Sequence, residues 1–465
     1  DVGEPGPRDQ AESARRASDR PPHGATSLNP HPLARHPPLG PKTAGPYSVG
    51  GSPMTALDPY LPGLTDVRSR VTRGRVAKAL FARAVRDLPV RVRYPGGEVL
   101  GGGDATSPVL EVLDPDRLHR RLEAHPKIGL GEGYMAGEWR AAVGSDLADA
   151  LTPFAARLAT ILPRPLLRLR GLVDVALPHR DRNTREGSRA NIAAHYDLSN
   201  DLFATFLDET MTYSSALFDE SRPWAEQTLR EAQSRKIEAA LDAAGVGSGT
   251  KMLEIGTGWG ALAMVAAARG ARVTTITLSG EQHAEAVRRV ADAGLTDRVE
   301  VRVQDYREVE GQFDVIVSIE MLEAVGDEYW PTYLKAIDRL LAPGGTAIVQ
   351  SILMEHERYL ATRNSYGWIQ KYIFPGGLIP SLDALSSIAQ QHTTLTVTAV
   401  RPFGLHYAET LRRWRHEFDR QWPSVKTLGF DETFRRMWEF YLAYSEAGFR
   451  SAYLDVAQLT FERHS

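Results

Sequence analysis

The sequence predicts an α/β protein: a doubly wound parallel sheet preceded by a smaller α+β unit. Three observations predict it. Residues 251–255 read as a short buried strand, and Gly256, Gly258 and Gly260 lead from it into a helical run over 261–268. Strand-like segments then recur at 272–279, 299–303 and 313–319 with helical stretches between them. Such alternation gives a parallel sheet whose ligands bind at the strand carboxyl ends. Upstream, 88–94 alternates as a strand, Pro95-Gly96-Gly97-Glu98 signals a turn, and Glu98-Val99-Leu100 returns as its hairpin partner.

Residues 1–53 are rich in Pro, Gly, His, Arg and Ser and lack apolar periodicity, so a disordered tail or linker is expected there. No charged start followed by an apolar stretch marks a secretory signal, and Met54 reads as a native start. The smaller unit is expected over 54–165. Within it, 109–113 reads as a strand and 117–123 as a helix after the cap-like Asp114. Residues 129–139 read as a glycine-rich loop without a catalytic set. A connector over 166–190 separates this unit from the larger one, 191–465. Between 164 and 189 seven arginines stand against three acids, interleaved with leucines. Such a segment suits an anionic membrane surface, where each basic residue contributes about 1 kcal/mol. A solvated linker with one packed apolar face is the plainer reading.

Composition excludes several classes. A net charge of −3 supplies no global basic field for nucleic acid. The absence of cysteine removes disulfides, thiolate zinc sites and cysteine nucleophiles, and no metal site is expected. No apolar run is long enough to span a bilayer.

The glycine turn lets backbone approach a ligand and aims free helix N–H groups at it. An ordinary strand–helix corner gives the same pattern. A dinucleotide fingerprint would place its third glycine one residue later, and the 272–279 strand carries no acid at its end. The 299–303 strand instead runs into Gln304-Asp305-Tyr306. This order resembles the Rossmann-like fold of an S-adenosylmethionine (SAM)-dependent methyltransferase.

Longer segments narrow the resemblance. Ala194-His195-Tyr196-Asp197-Leu198-Ser199-Asn200-Asp201-Leu202-Phe203 precedes Thr210-Met211-Thr212-Tyr213-Ser214-Ser215. Thr277-Leu278-Ser279-Gly280-Glu281-Gln282, Ile319-Glu320-Met321-Leu322-Glu323-Ala324-Val325-Gly326, Tyr372-Ile373-Phe374-Pro375-Gly376-Gly377 and Leu405-His406-Tyr407-Ala408-Glu409 follow in order. Together they look like the signature of the cyclopropane-fatty-acid synthase family, which includes the mycolic-acid methyltransferases. The likeness covers about 190–465, and 54–165 looks like the N-terminal lipid-binding domain of longer members.

That resemblance implies a reaction. The π electrons of a cis double bond in an acyl chain attack the methyl of SAM, and a carbocation forms. A base then removes a proton from the new methyl group and a cyclopropane closes. In a variant branch a hydride shifts first and proton loss leaves an exocyclic methylene, the precursor of tuberculostearic acid. The Glu-Met-Leu-Glu-Ala-Val-Gly form with Gln350 tilts the reading slightly towards that branch, which implies a partner reductase. The substrate would be an unsaturated phospholipid acyl chain. The protein would lie in the cytoplasm, peripheral at the inner membrane face, and the sequence is compatible with a homo-oligomer.

The resemblance also implies site residues. In the family a bicarbonate ion is the base. Its holders carry over to Ser215 for a Cys, Glu323, Gln350 for a His, Tyr407 and the carbonyl of Ile319. Neither Ser215 nor Gln350 titrates near neutrality, so Glu323 stands as an alternative base. Tyr407 would hydrogen-bond Glu323 or a bound anion. Tyr213 and Ser214 would meet the methionine part of SAM, and Gly256 and Gly258 would allow its close approach. Thr277, Leu278 and Gln282 would flank ribose and adenosine, with Asp305 and Tyr306 at adenine. Tyr366, Trp368, Tyr372 and Phe374 would line an acyl channel, although aromatic stripes are more often plain core. Two other readings stay open at this point: a methyltransferase for another acceptor, and a lipid- or SAM-binding protein with a decayed site.

Overall fold

The computed structural model describes Leu64, residues 74–157 and residues 199–463. The expectations for 1–53, for the 166–190 connector and for the His195-Tyr196-Asp197 stretch lie outside those residues.

The first part is a four-stranded sheet with helices. Helix α1 (Gly74–Val85) precedes β1 (Arg91–Arg93) and β2 (Val99–Leu100), which pair antiparallel as the hairpin expected. β3 (Val109–Val112) lies parallel to β1. Helix α2 (Pro115–Ala124) starts where the Asp114 carboxylate accepts the Arg117 N–H at 3.0 Å, an N-cap that satisfies one orphan donor. The expected glycine-rich loop is instead a helix, α3 (Pro126–Met135), begun by Pro126 in the first turn. Glycine is a poor helix former, but here three glycines let neighbours approach. A Cβ on Gly129 would stand 2.5 Å from the backbone of Arg121. β4 (Trp139–Ala141) pairs antiparallel with β3, and α4 (Leu147–Arg157) follows.

The larger part runs α5 (Asn200–Phe206), α6 (Leu229–Ala243), β5 (Lys251–Ile255), α7 (Ala261–Ala268), β6 (Arg272–Thr277), α8 (Gly280–Asp292), β7 (Val299–Val303), β8 (Phe313–Ile319), α9 (Trp330–Leu340) and β9 (Leu341–Met354). It continues with α10 (His356–Thr362), α11 (Trp368–Tyr372), α12 (Leu382–His392), β10 (Leu395–Pro402), α13 (Gly404–Arg420), α14 (Trp422–Thr427), α15 (Glu432–Arg450) and β11 (Leu454–Arg463). The sheet order is β10-β11-β9-β8-β5-β6-β7. Strands β5 to β9 run parallel, so the carboxyl ends of β5, β6, β7 and β8 share one edge. The sheet is not wholly parallel as expected: β11 runs antiparallel to both β9 and β10. Such antiparallel strands commonly extend a parallel sheet at one side.

One apolar core joins the two parts. Val85, Leu110, Trp139 and Leu151 belong to the same cluster as Trp368, Trp414, Trp438 and Phe440. A buried ion pair network crosses the same boundary. The Arg415 guanidinium of α13 donates to Asp146 at 2.8 Å and to Glu446 of α15 at 3.0 Å. Asp146 in turn accepts the Ala148 N–H at 2.8 Å, at the start of α4. Replacing Arg415 with Ala would take the cation from Asp146 and leave Glu446 with Arg450 alone, 2.9 Å away, so we expect a loss of about 3 kcal/mol. Equilibrium urea unfolding should register it as a lower midpoint of a single transition; a midpoint unchanged from the parent would contradict it.

Candidate active site

The carboxyl edge of the sheet opens onto a cavity of about 1310 Å³. That exceeds the roughly 300–1,000 Å³ of a usual small-molecule site and leaves room for two ligands. Tyr213, Ser214, Gly256, Gly258, Thr277, Leu278, Gln282, Asp305 and Tyr306 all line it. Local order explains their placement. Gly256 has φ +100°, and a Cβ there would stand 2.6 Å from the side chain of Met321. Thr277 Oγ1 donates to Gln282 Oε1 at 2.9 Å, fixing the first turn of α8 against β6. The Asp305 carboxylate accepts from the Arg307 guanidinium at 2.8 and 2.6 Å, at the end of β7.

Of the five expected catalytic positions, Ile319, Glu323 and Tyr407 line this cavity, whereas Ser215 and Gln350 lie behind its surface. What draws them together is a residue given no role in the sequence reading, Glu320. Its Oε1 accepts the Ser215 N–H at 2.9 Å and the Gln350 side-chain amide at 2.8 Å. Its Oε2 accepts the Tyr407 hydroxyl at 2.7 Å. The Ser215 hydroxyl turns away and donates to the carbonyl of Ala216. Two expectations are thereby corrected. Tyr407 bonds Glu320 rather than Glu323, because Glu320 is the acid its hydroxyl reaches. The side-chain and amide donors assigned to bicarbonate are all engaged by a protein carboxylate, so the residues present do not fit a separate anion.

Glu323 has different surroundings. Its Oε1 accepts the Ser351 hydroxyl at 2.9 Å and the backbone N–H of Ile352. Its Oε2 is buried and has no hydrogen-bond partner among the described residues. Burial, and then the nearby charge of Glu320, push its carboxyl up to about 8. Burial also raises Glu320 above the usual carboxylate range. The ammonium of Lys236 and the hydrogen bonds from Tyr407, Ser215 and Gln350 oppose that rise. Burial and the charge of Glu320 hold the Tyr407 phenol well above its ordinary value, so it stays a donor.

Lys236 was also missed. It projects from the buried side of α6 and its Nζ donates to Ser214 Oγ at 2.5 Å. Burial pulls it down to about 8 against the attraction of Glu320, Asp208 and Glu254. The sequence did carry a signal. Gln233 and Lys236 occupy the helical stripe shared by Ala232, Ile237 and Ala240, where apolar residues belong. For Glu320 the signal was an acid directly after the apolar run of β8. In the aromatic stretch, Trp368 and Phe374 line the cavity, while the Tyr372 hydroxyl donates to Glu132.

The arrangement can bind a ligand at the sheet edge and hold one rigid carboxylate beside it. Comparison with known proteins identifies the family. Residues 183–459 match the family model described as mycolic acid cyclopropane synthetase. The chain is 50% identical over 393 residues to the tuberculostearic acid methyltransferase UfaA1 of Mycobacterium tuberculosis, covering 83% of this chain and 91% of that protein. It is 31% identical over 368 residues to the cyclopropane-fatty-acyl-phospholipid synthase of Escherichia coli K12, covering 76% of this chain and 87% of that one. The crystal structure of the mycolic acid cyclopropane synthase CmaA1 with SAH and CTAB superposes with a TM-score of 0.54 at 32% identity, over 62% of this chain and 99% of CmaA1. The chain therefore belongs to the mycolic acid cyclopropane synthetase family, and it is a SAM-dependent methyltransferase.

Proposed function

We propose that this protein methylates the cis double bond of a phospholipid acyl chain and releases it as an exocyclic methylene, with Glu320 as the base. One observation carries the reading: the Glu320 carboxylate is fixed by Ser215, Gln350 and Tyr407 in the wall of the cavity that holds the nine expected SAM positions. SAM, when bound, supplies a sulfonium methyl electrophilic enough for an alkene. The chain supplies orientation, negative charge and a proton acceptor. The paired rings of Tyr407 and Phe449, which also line the cavity, add π electron density near the cation formed on the acyl chain. Glu320 then takes a proton from the new methyl group. A C–H bond breaks, an O–H bond forms, and the freed electron pair makes the exocyclic double bond after a hydride shift. Without the shift the same pair would close a ring.

Two features support the finer parts of this reading. The 50% identity to a tuberculostearic acid methyltransferase favours the methylene product, which a partner reductase would convert to a methyl branch. Val76 and Leu80 of α1 line the cavity yet are each 59% exposed, beside the cavity-lining Arg83 and Lys127. An apolar mouth with basic residues suits entry of an acyl chain from an anionic membrane surface.

NMR of lipids recovered after incubation with SAM and oleoyl-phospholipid vesicles should show vinylidene protons. Upfield ring protons would instead make the protein a cyclopropane synthase. Glu320→Gln should lower kcat by about 10²-fold or more, the usual worth of a general base, with SAM affinity in calorimetry unchanged. Glu323 is already protonated at neutral pH, so Glu323→Gln should keep turnover there within about tenfold, far less than a general base is worth. A loss of about 10²-fold in Glu323→Gln with Glu320→Gln within about tenfold would return the base to Glu323.

Linkage gives a separate check. Between the ordinary 4.5 of Glu323 and its folded value of about 8, the folded state holds a proton that the unfolded state has lost. Stability should therefore fall as pH rises through that window. Glu323→Gln should remove this contribution, so the stability difference between variant and parent should grow in the variant's favour from pH 5 to pH 8. A difference constant with pH would show that Glu323 keeps an ordinary carboxyl.

A further inference from the structure

The three glycines of α3 have distinct neighbours. Gly129 meets α2, and Gly133 meets Leu118 and Trp139, whereas Gly131 faces α11 and α15. A Cβ on Gly131 would stand 2.5 and 2.6 Å from Cδ1 and Nε1 of Trp368, and 2.8 Å from Cε1 of Phe440. Glu132, the next residue, is buried. It accepts from Lys371 Nζ at 2.5 Å and from the Tyr372 hydroxyl at 2.7 Å, with Arg121 Nη1 3.6 Å away. Trp368 Nε1 also approaches Met135 Sδ at 3.3 Å. One helix of the first part thus fastens α11 at three points.

Helix α11 has five residues, too few to hold itself in place, so these contacts set its position. Gly131, Trp368, Ile369 and Phe374 line the cavity. Beyond α11 the chain reaches the acidic centre. Gln370 Nε2 donates to the Gly377 carbonyl at 3.4 Å, and the Leu378 N–H donates to the Glu323 carbonyl at 2.8 Å.

We propose that Gly131 and Glu132 form a specificity-determining seat for the channel wall. They fix Trp368, and through it which carbons of a threaded acyl chain stand opposite Glu320. Both are positioning residues acting through α11, and the inference rests on the acyl-chain reading above. Gly131→Ala pushes the indole away from α3 and into the wall. Glu132→Gln keeps an acceptor but removes the charge that holds Lys371.

The test is a competition in the full-length protein between phosphatidylglycerol vesicles whose 18-carbon chains carry the cis double bond at C9 or at C11. Gly131→Ala should change the ratio of the two products by about tenfold, the scale on which a one-methylene misfit is discriminated, with SAM affinity unchanged. Glu132→Gln should move the ratio in the same sense by less, and Glu132→Ala by more than Glu132→Gln. Folded variants with the parent ratio would overturn the seat. Should Gly131→Ala not fold, Trp368→Leu alters the wall from the other side, and an unmoved ratio there is equally fatal. A parent protein that methylates neither lipid would sink the acyl-chain reading and this inference with it. Turnover of both lipids with unmoved variant ratios would sink the seat alone.

Discussion

A carboxylate held in a cavity wall by protein donors constrains the whole site. Stranding a buried charge without partners costs several kcal/mol, and Glu320 avoids this with help from four separate stretches of chain. The Ser215 amide comes from the segment before α6, the Gln350 amide from β9, and the Tyr407 hydroxyl from α13. Lys236 of α6 adds a buried positive charge. The backbone at Glu320 has φ +52°, an unusual value for a residue with a side chain. Its N–H is nonetheless satisfied by the Gln350 carbonyl at 2.8 Å. Strain of this kind persists only where surrounding contacts over-determine it, and here they do.

The donors are themselves held. An amide can present either its oxygen or its nitrogen, and only the nitrogen suits a carboxylate. Gln458 of β11 stands opposite Gln350 in the β9–β11 register and donates to its Oε1 at 3.2 Å, which leaves the Gln350 nitrogen for Glu320. The same Gln458 amide donates to the Lys236 carbonyl at 3.1 Å. Gln233 donates to the carbonyl of Ser214 at 2.8 Å, so α6 steadies the segment that delivers the Ser215 amide. The antiparallel strand is thus more than an extension of the sheet, because it sets the direction of a hydrogen bond in the active site.

This explains what could be read from the sequence. Strands β5, β7 and β8 and helix α7 are local objects: apolar runs and glycine punctuation define them, and their expected bounds match the structure. The nine expected cofactor positions come from the family resemblance; seven of them stand at or just after the carboxyl ends of β5, β6 and β7, which a parallel sheet brings to one edge, whereas Tyr213 and Ser214 have no such local signal. Glu320 and Glu323 stand in one motif, and nothing local tells which of them meets Tyr407, which lies 87 residues beyond Glu320. That choice depends on the left-handed turn at Glu320. The α3 helix was misread because glycine spacing signals a loop locally, whereas its cause here is tertiary: three close approaches to other elements.

The same hydrogen bonds bear on which product the site favours. A carboxylate that accepts three hydrogen bonds is stabilised as the anion and is a weaker proton acceptor than a bare one. Burial works in the opposite direction and is the larger effect, so the Glu320 carboxyl stays above the usual carboxylate range even with Lys236 beside it. On the proposed reading the restraint on this base is positional: its oxygens are held by Ser215, Gln350 and Tyr407, and the cation loses its proton only once the new methyl group reaches them. A 1,2-hydride shift needs no base, only time and a cation shielded from water. Ring closure needs the proton to leave before the shift. On that reading a base fixed in place favours the methylene branch over the ring, because the hydride shift proceeds without it and ring closure does not.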